Sequence, residues 1–336
     1  MKITFKNVGQ GDSIIIEWKE NQSKKIILID CNKINGINPV LNYLKSIKIA
    51  SIYCLILSHP HIDHFRGMLE LLNYCEQEDI VIERFAHTLR LEPRHLNYSS
   101  IDPTDMSKLS KLIEKVNELY DIKKIIKYLY VEEAWTLTIA NKWQISSLAP
   151  SQNEINLYIE IIKNFYKTNR NKCSKAANLL STIFKLTNLE TNTNVVLTAD
   201  AEKEAFGRLM DRNEEFFETE LLLGQVPHHG SSFNHKIEFW QKFLKKDKTP
   251  IVISAGENMK YNHPHKEVVS DFIDNGFQVF ATNNVNGMRD FMDELEGNTV
   301  ILELDDDSEL VEPYNIDGDQ VFKIENGIAE ENIPVS

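Results

Sequence analysis

Cysteine is scarce in these 336 residues: Cys31, Cys54, Cys75 and Cys173 are all there are, and no two form a C-x-x-C pair. That excludes a disulfide framework and a zinc knuckle, and it fits a reducing compartment. No apolar run approaches the ~20 residues needed to cross a bilayer. The stretch from Met1 to Asp12 reads as strand-like and polar rather than as a signal peptide. A soluble, cytoplasmic protein with no membrane partner is therefore expected. Positive charge is also in short supply: Lys plus Arg total 37 against 50 for Asp plus Glu, a formal net charge of -13. A broad non-specific grip on nucleic acid needs a basic surface, which this balance opposes. A local basic groove, or a metal site with its own positive charge, stays compatible with it. Internal repeats are absent too. What is present is globular: 42% hydrophobic and 26% charged residues, over a length that can bury a sizeable core.

Short apolar or alternating runs predict strands over Lys2–Asn7, Ser13–Trp18, Lys25–Ile29 and Tyr53–Leu57, with helices over Pro39–Ile47 and Arg66–Gln77. In the middle, Met106–Tyr128 and Glu154–Tyr166 carry Leu, Ile and Val at helical spacing, while Val81–Leu89 and Trp143–Leu148 read as strands. Ser181–Thr187 and Asn194–Thr198 read as a hairpin. Further on, Leu222–Val226, Ile251–Ser254, Phe277–Thr282 and Thr299–Leu304 read as strands. Helices are expected near His235–Lys245 and from Pro264, since proline suits a first helical turn. Strands and helices interleaved in both halves indicate one layered α/β domain spanning 1–336. A helix-rich insertion is expected over 77–178, and a flexible tail over 326–336.

Eight of the ten histidines fall in three short clusters, each just past a predicted strand. The first, His59-Pro60-His61-Ile62-Asp63-His64, sets four potential ligands within six residues. Imidazole nitrogens and carboxylate oxygens suit Zn²⁺ and its neighbours. The alternation of His59 and His61 directs two rings toward one metal, and Asp63 with His64 can reach a second. A surface histidine tract is the bland alternative, and the strand-to-loop context argues against it. One loop cannot complete two coordination shells. Asp200, after the strand at Asn194–Thr198, is placed to bridge two ions; a helix N-cap is the competing reading. His228 and His229 precede Gly230-Ser231, and as neighbours they point in different directions. One is expected to be a ligand and the other either to support a ligand from behind or to face the substrate. His263 stands before Pro264 in a third loop. Lys260 and Tyr261 read as surface loop, with a substrate-facing role as the alternative. Gly9 and Gly11 lie between strands and so mark a tight turn rather than a phosphate cradle.

These motifs resemble the metallo-β-lactamase fold hydrolases, whose signature is H-x-H-x-D-H, here at 59–64. Val8–Ser13, Leu28–Asp30, Val196–Asp200, Val226–Ser231, Ile253–Gly256 and Asn262–Pro264 follow in family order. They are similar to the hydrolase domain of ComEC-type DNA-uptake proteins and its free-standing soluble relatives. Asn7, Asn32 and Ala199 depart from that pattern, and none of the three is a ligand. The resemblance covers Met1–Met68 and Ala176–Thr282. It implies an αββα sandwich holding two divalent metal ions, zinc or manganese. His59 and His61 would hold the first ion with His229; Asp63 and His64 would hold the second with His263; Asp200 would bridge.

The function so implied is hydrolysis of a phosphodiester bond in a nucleic acid or nucleotide by a hydroxide held between the metals, with Asp63 and His228 in catalytic roles. Phosphodiester specificity rests on family analogy. Hydrolysis of a carboxylic ester, thioester or lactone is the alternative chemistry on the same metals. A non-catalytic metal-binding interaction module is the third reading. The Lys-rich face of the middle helices (Lys108, Lys111, Lys115, Lys123, Lys124, Lys127) reads as a solvated surface rather than a phosphate grip.

Overall fold

The computed structural model describes residues 1–90, 103–140, 142–212, 216–298, 317–325 and 328–331. Along the chain, β1 (Lys2–Phe5), β2 (Ile14–Glu20) and β3 (Ser23–Ile29) precede helix α1 (Pro39–Ile47). Strands β4 (Ser51–Ile52) and β5 (Cys54–Leu57) lead into the short α2 (Ile62–Phe65) and α3 (Met68–Gln77). Next come β6 (Val81–His87), α4 (Pro103–Asp121), β7 (Ile125–Tyr130), β8 (Thr136–Ile139) and β9 (Trp143–Ala149). Helices α5 (Gln152–Phe165) and α6 (Arg170–Ala176) precede β10 (Ile183–Asn188) and β11 (Thr193–Leu197). The chain continues with α7 (Lys203–Arg212), β12 (Glu220–Gln225), α8 (Ile237–Gln241), β13 (Leu244–Lys245), β14 (Thr249–Ile253), α9 (Lys266–Asp274), β15 (Phe277–Ala281) and α10 (Asn286–Asn298). Strands β16 (Gln320–Glu325) and β17 (Ile328–Glu331) follow.

The strands form two sheets. One runs β17-β16-β1-β2-β3-β5-β6-β4 with β7 also on β6; the other runs β15-β14-β12-β11-β10-β9-β8 with β13 on β12. Their central strands are apolar on both faces, which sets the layering. In β3, Ile27 and Ile29 point to the space between the sheets, while Ile26 and Leu28 point the other way, into a core shared with α1 and α3. In β11, Val195 and Leu197 face the inter-sheet core and Val196 packs with residues of α7, α8 and α9. Period-two alternation with no polar face requires cover on both sides, so helices flank each sheet. The result is the expected αββα order. Each large apolar side chain so buried contributes about 1.5–3 kcal/mol of transfer free energy.

Several local expectations are corrected. The helix expected over Met106–Tyr128 ends at Asp121; Lys123 takes a left-handed φ of 63°, and Ile125–Tyr130 instead pair in parallel with β6. Edge pairing there overrides a helical spacing of apolar residues. The stretch 77–178 carries α4, α5 and α6, but also β6 to β9, which belong to the two sheets. The helix expected from Pro264 begins at Lys266 with His265 as its N-cap, and the one after Asp200 begins at Lys203. The helix near His235–Lys245 shortens to Ile237–Gln241. Ile328–Glu331, expected in a flexible tail, pairs antiparallel with β16. The strand expected over Thr299–Leu304 lies outside the described residues. No helix among the described residues is long and apolar enough to cross a membrane. On the Lys-rich face, Lys115 pairs with Glu76 at 2.8 Å and Lys124 pairs with Asp79.

Candidate metal centre

Loops at the ends of β2's neighbour turn, β3, β5, β11, β12 and β14 meet at one edge of the sandwich. The centre of this edge is Asp200. It follows β11 in a loop held by Gln225, whose Oε1 accepts from the N–H groups of Thr198 (3.0 Å) and Ala199 (3.2 Å). The Ala199 carbonyl accepts from the His228 N–H (2.9 Å), which ties the Asp200 loop to the His228-His229 turn. Asp200 is 2% exposed. Its Oδ2 lies 3.5 Å from His59 Nε2 and 3.6 Å from His228 Nε2. Its Oδ1 lies 3.3 Å from His64 Nε2 and 3.4 Å from His229 Nε2. Each of its two oxygens therefore faces two imidazoles.

The rings are oriented from behind. Asp30, at the end of β3, accepts from the Ser58 N–H (2.8 Å) and hydroxyl (2.6 Å), and its Oδ2 sits 2.7 Å from His64 Nδ1. His61 Nε2 donates to the Ser174 carbonyl of α6 (2.8 Å), and His229 Nδ1 donates to the Ser254 carbonyl (2.7 Å). Each of these partners is an acceptor, so the rear nitrogen of each ring carries a proton and the other nitrogen is turned toward the centre. Such rear contacts fix tautomer and aim in metal-binding histidines. His61 Nδ1 in turn lies 3.2 Å from His59 Nε2.

The turn Gly9-Gln10-Gly11 closes against this loop, as a tight turn near the site should. A Cβ on Gly11 would lie 2.2 Å from the Asp63 carbonyl oxygen, and φ there is +129°. Asn32 donates to the Gln10 carbonyl (2.6 Å), so this departure from the family pattern staples the turn.

Electrostatics show what the cluster is built to hold. The carboxylates of Asp63 and Asp200 are held well below the usual range: burial opposes this, and the surrounding imidazoles overcome it, His229 first for Asp63 and His228 first for Asp200. Burial also disfavours charge on His64 and His229. Even so, Asp200 and Asp30 raise His64 well above its ordinary value, and Asp200 and Asp63 raise His229 to about 9. Protons on two rings thus balance the buried acids. His59 goes the other way, down to about 3 through burial and then the neighbouring His64. Despite these contacts, His64 Nε2, His229 Nε2 and Asp200 Oδ1 are buried with no hydrogen-bond partner. Orphaned nitrogen and oxygen donors of this kind, converging within 4.8 Å in the sets His59–His64–Asp200 and Asp63–His64–His229, fit divalent metal ions.

The sequence-derived residues come together with three differences, the first being that His61 stands outside the convergent sets among the described residues. His229 Nε2 lies 3.5 Å from Asp63 Oδ2, which groups it with Asp63 and His64 rather than with His59 and His61. His263, expected beside Asp63 and His64, stands outside the convergent sets among the described residues; its ring centroid is 5.5 Å from that of His228 and 6.5 Å from that of His229. Lys260 and Tyr261, read as surface loop, line the cavity in front of the centre.

Sequence reasoning missed Asp12. It is 2% exposed, its Oδ2 accepts from Gln225 Nε2 (2.9 Å), and it converges with Asp200 and His229. Burial raises its carboxyl to about 6, against the pull of His229 and His64. The signal was a charged residue directly after Gly11 in an otherwise buried turn. Asp30 was noted only as a motif position; its strand-end placement before an apolar strand's histidines was the available clue.

No family model and no curated protein matches this chain. Several solved structures resemble it, three of them as follows. The metallo-beta-lactamase fold protein YhfI from Bacillus subtilis has a TM-score of 0.40 at 12% identity, covering 88% of this chain and 91% of that one. A diphosphatase from the PhnP family has a TM-score of 0.40 at 8% identity, covering 97% and 98%. A metallo-beta-lactamase from Pontibacter korlensis has a TM-score of 0.26 at 9% identity, covering 63% and 86%.

Proposed function

We propose that this chain is a hydrolase using two divalent metal ions, zinc or manganese, to cleave a phosphodiester bond. One observation carries the reading: each oxygen of buried Asp200 faces two imidazoles, Oδ2 those of His59 and His228 and Oδ1 those of His64 and His229. His59, His61 and Asp200 would hold one ion; Asp63, His64, His229 and Asp200 would hold the other. When bound, two such ions supply Lewis acidity, easing deprotonation of a water and neutralising charge on the oxygens of the bond under attack.

The chain's own groups do the rest. Asp200 and Asp63 keep negative charge at the floor of the site, and Asp30 holds His64 in one orientation. His228 is 22% exposed, faces the cavity, and sits 3.6 Å from Asp200. Burial lowers its pKa, so it enters neutral at pH 7 and can take up a proton at Nε2. Water adds its oxygen to phosphorus, the ester P–O bond breaks, and the departing oxygen receives a proton, which His228 is placed to relay. General acid–base help of this kind supplies ~10²–10⁴-fold in rate. Support for phosphorus as the centre attacked comes from the family resemblance of the motifs and from the cations that line the cavity, Arg66 and Lys175 among them.

The test is a substrate panel on metal-reconstituted protein: bis(4-nitrophenyl) phosphate, single- and double-stranded DNA, RNA, cyclic dinucleotides and 4-nitrophenyl carboxylic esters. Hydrolysis of the diesters, abolished by chelator, is expected. Turnover confined to carboxylic esters would overturn the phosphodiester reading.

A further inference from the structure

The cavity in front of the metal centre is about 1200 Å³. Sites for a single small ligand run to ~300–1,000 Å³, so this one exceeds what a simple diester fills. Two features of its wall go unused by the chemistry above. The first is aromatic. Phe233, in the loop after the His228-His229 turn, is 79% exposed, and Tyr261, in the loop after β14, is 50% exposed. Both line the cavity. Phe233 meets the His265 ring at 6.4 Å, His265 meets His263 at 5.1 Å, and Tyr261 stacks on His263 at 5.7 Å and 21°. A run of rings thus leads from the cavity rim to His263, whose ring is 5.5 Å from that of His228. Exposed aromatic faces held in place by other rings are surfaces that a flat π-system covers well.

The second feature is cationic. Arg66, after α2, and Lys175, in α6, line the same cavity. Neither has a carboxylate partner among the described residues, in a chain whose formal net charge is -13. The other lining lysine near α1, Lys33, is paired with Glu70 at 2.9 Å. Free cations kept beside a metal centre, in an otherwise acidic protein, mark where a substrate's further negative charges lie.

Building on the phosphodiester reading, we infer that the cavity is a site for nucleotide units with unpaired bases. The rings of Phe233 and Tyr261 take a base next to the bond that is cut, and Arg66 and Lys175 take flanking phosphates. A base within a duplex is already stacked and paired, so the substrate is single-stranded nucleic acid or a nucleotidyl ester. Aromatic stacking tolerates any base, so little sequence preference is expected.

The experiment compares two diesters that release the same phenol, thymidine 5′-(4-nitrophenyl phosphate) and methyl 4-nitrophenyl phosphate, on the metal-loaded full chain. Wild type should favour the nucleoside ester in kcat/KM by at least about tenfold. The double variant Phe233→Ala with Tyr261→Ala should lower that ratio by ~5- to 150-fold, the range for losing one base–ring stack. Phe233→Trp, which keeps a ring at the rim, should retain the preference. In Arg66→Gln with Lys175→Gln, the salt dependence of binding a single-stranded oligothymidylate should weaken by ~0.7 per lost phosphate contact in log K against log[salt]. Equal efficiency on both esters in wild type, or a ratio the double alanine variant leaves unchanged, would overturn the base site while leaving the phosphodiester chemistry intact. Turnover of neither diester alongside cleavage of 4-nitrophenyl acetate would overturn both.

Discussion

In the metal-free protein the buried acids keep His229 protonated, and this makes stability fall as pH rises above neutrality. The His229 pKa stands at about 9 when folded, against an ordinary value of 6.5. Below pH 6.5 the ring is protonated in folded and unfolded chains alike, so the full contribution is present. Between 6.5 and 9 the unfolded chain releases that proton and the folded one retains it, so stability is lost as pH rises through the folded value. At 1.36 kcal/mol per unit, the loss across that window is about 3 kcal/mol. His64 is raised well above its ordinary value and acts in the same direction. Asp12 near 6, and His59 and His263 near 3, titrate below the window. Glu202 near 7 and Lys185 near 8 overlap it, so the informative quantity is a difference from a variant. Urea unfolding of chelator-treated protein at half-unit intervals from pH 6.5 to 9 should show a falling stability. In His229→Gln the slope should be shallower by about 1.36 kcal/mol per pH unit, one proton's worth. Reconstitution with zinc should remove the decline, because ligands must shed protons to bind metal. A slope identical in wild type and His229→Gln would refute the electrostatic reading of the cluster.

Three further outcomes separate the roles of individual residues. His229→Ala should lose about one equivalent of metal, whereas His228→Ala should keep its metal and lose kcat by ~10²–10⁴-fold; elemental analysis with steady-state kinetics distinguishes them. Asp30→Asn weakens the contact that aims His64, so metal affinity measured by chelator competition should fall ~10–100-fold, and unchanged affinity would remove Asp30 from the orienting role. Gly11→Ala forces a Cβ to 2.2 Å from the Asp63 carbonyl at a positive φ. It should lower the melting temperature and the metal content together, and a variant with wild-type values for both would show that the Gly11–Asp63 approach is not needed.

A layered α/β domain could be read from the interleaving of strands and helices, whereas the αββα order came only with the family resemblance; its physical cause is that β3 and β11 are apolar on both faces, a pattern that covered sheets satisfy. The His/Asp cluster at 59–64 was also plain, since its candidate ligands are neighbours in sequence. The pairing of His229 with Asp63 was not. It depends on two consecutive left-handed residues, His228 (φ 48°) and His229 (φ 57°), which no propensity rule anticipates, and these decide which ring turns to which side of Asp200. The same holds for Asp12, whose proximity to His229 arises from the Gly11–Asp63 approach and the Gln225 bridge, contacts between residues far apart in the chain. β7 was hidden for a different reason: its Ile-Ile-Lys-Tyr-Leu-Tyr run continues the helical spacing of α4, and only a parallel partner in β6 makes it a strand.

The central claim of the proposal is that Asp200 and the histidines around it would together hold two divalent cations. Metal stoichiometry of the reconstituted full chain, measured by elemental analysis on wild type and on Asp200→Ala, tests it most directly. Two equivalents per chain in wild type, falling to one or none in the variant, is the predicted result. Wild-type protein that retains no divalent metal after reconstitution, or an Asp200→Ala variant that still holds two equivalents, would contradict it.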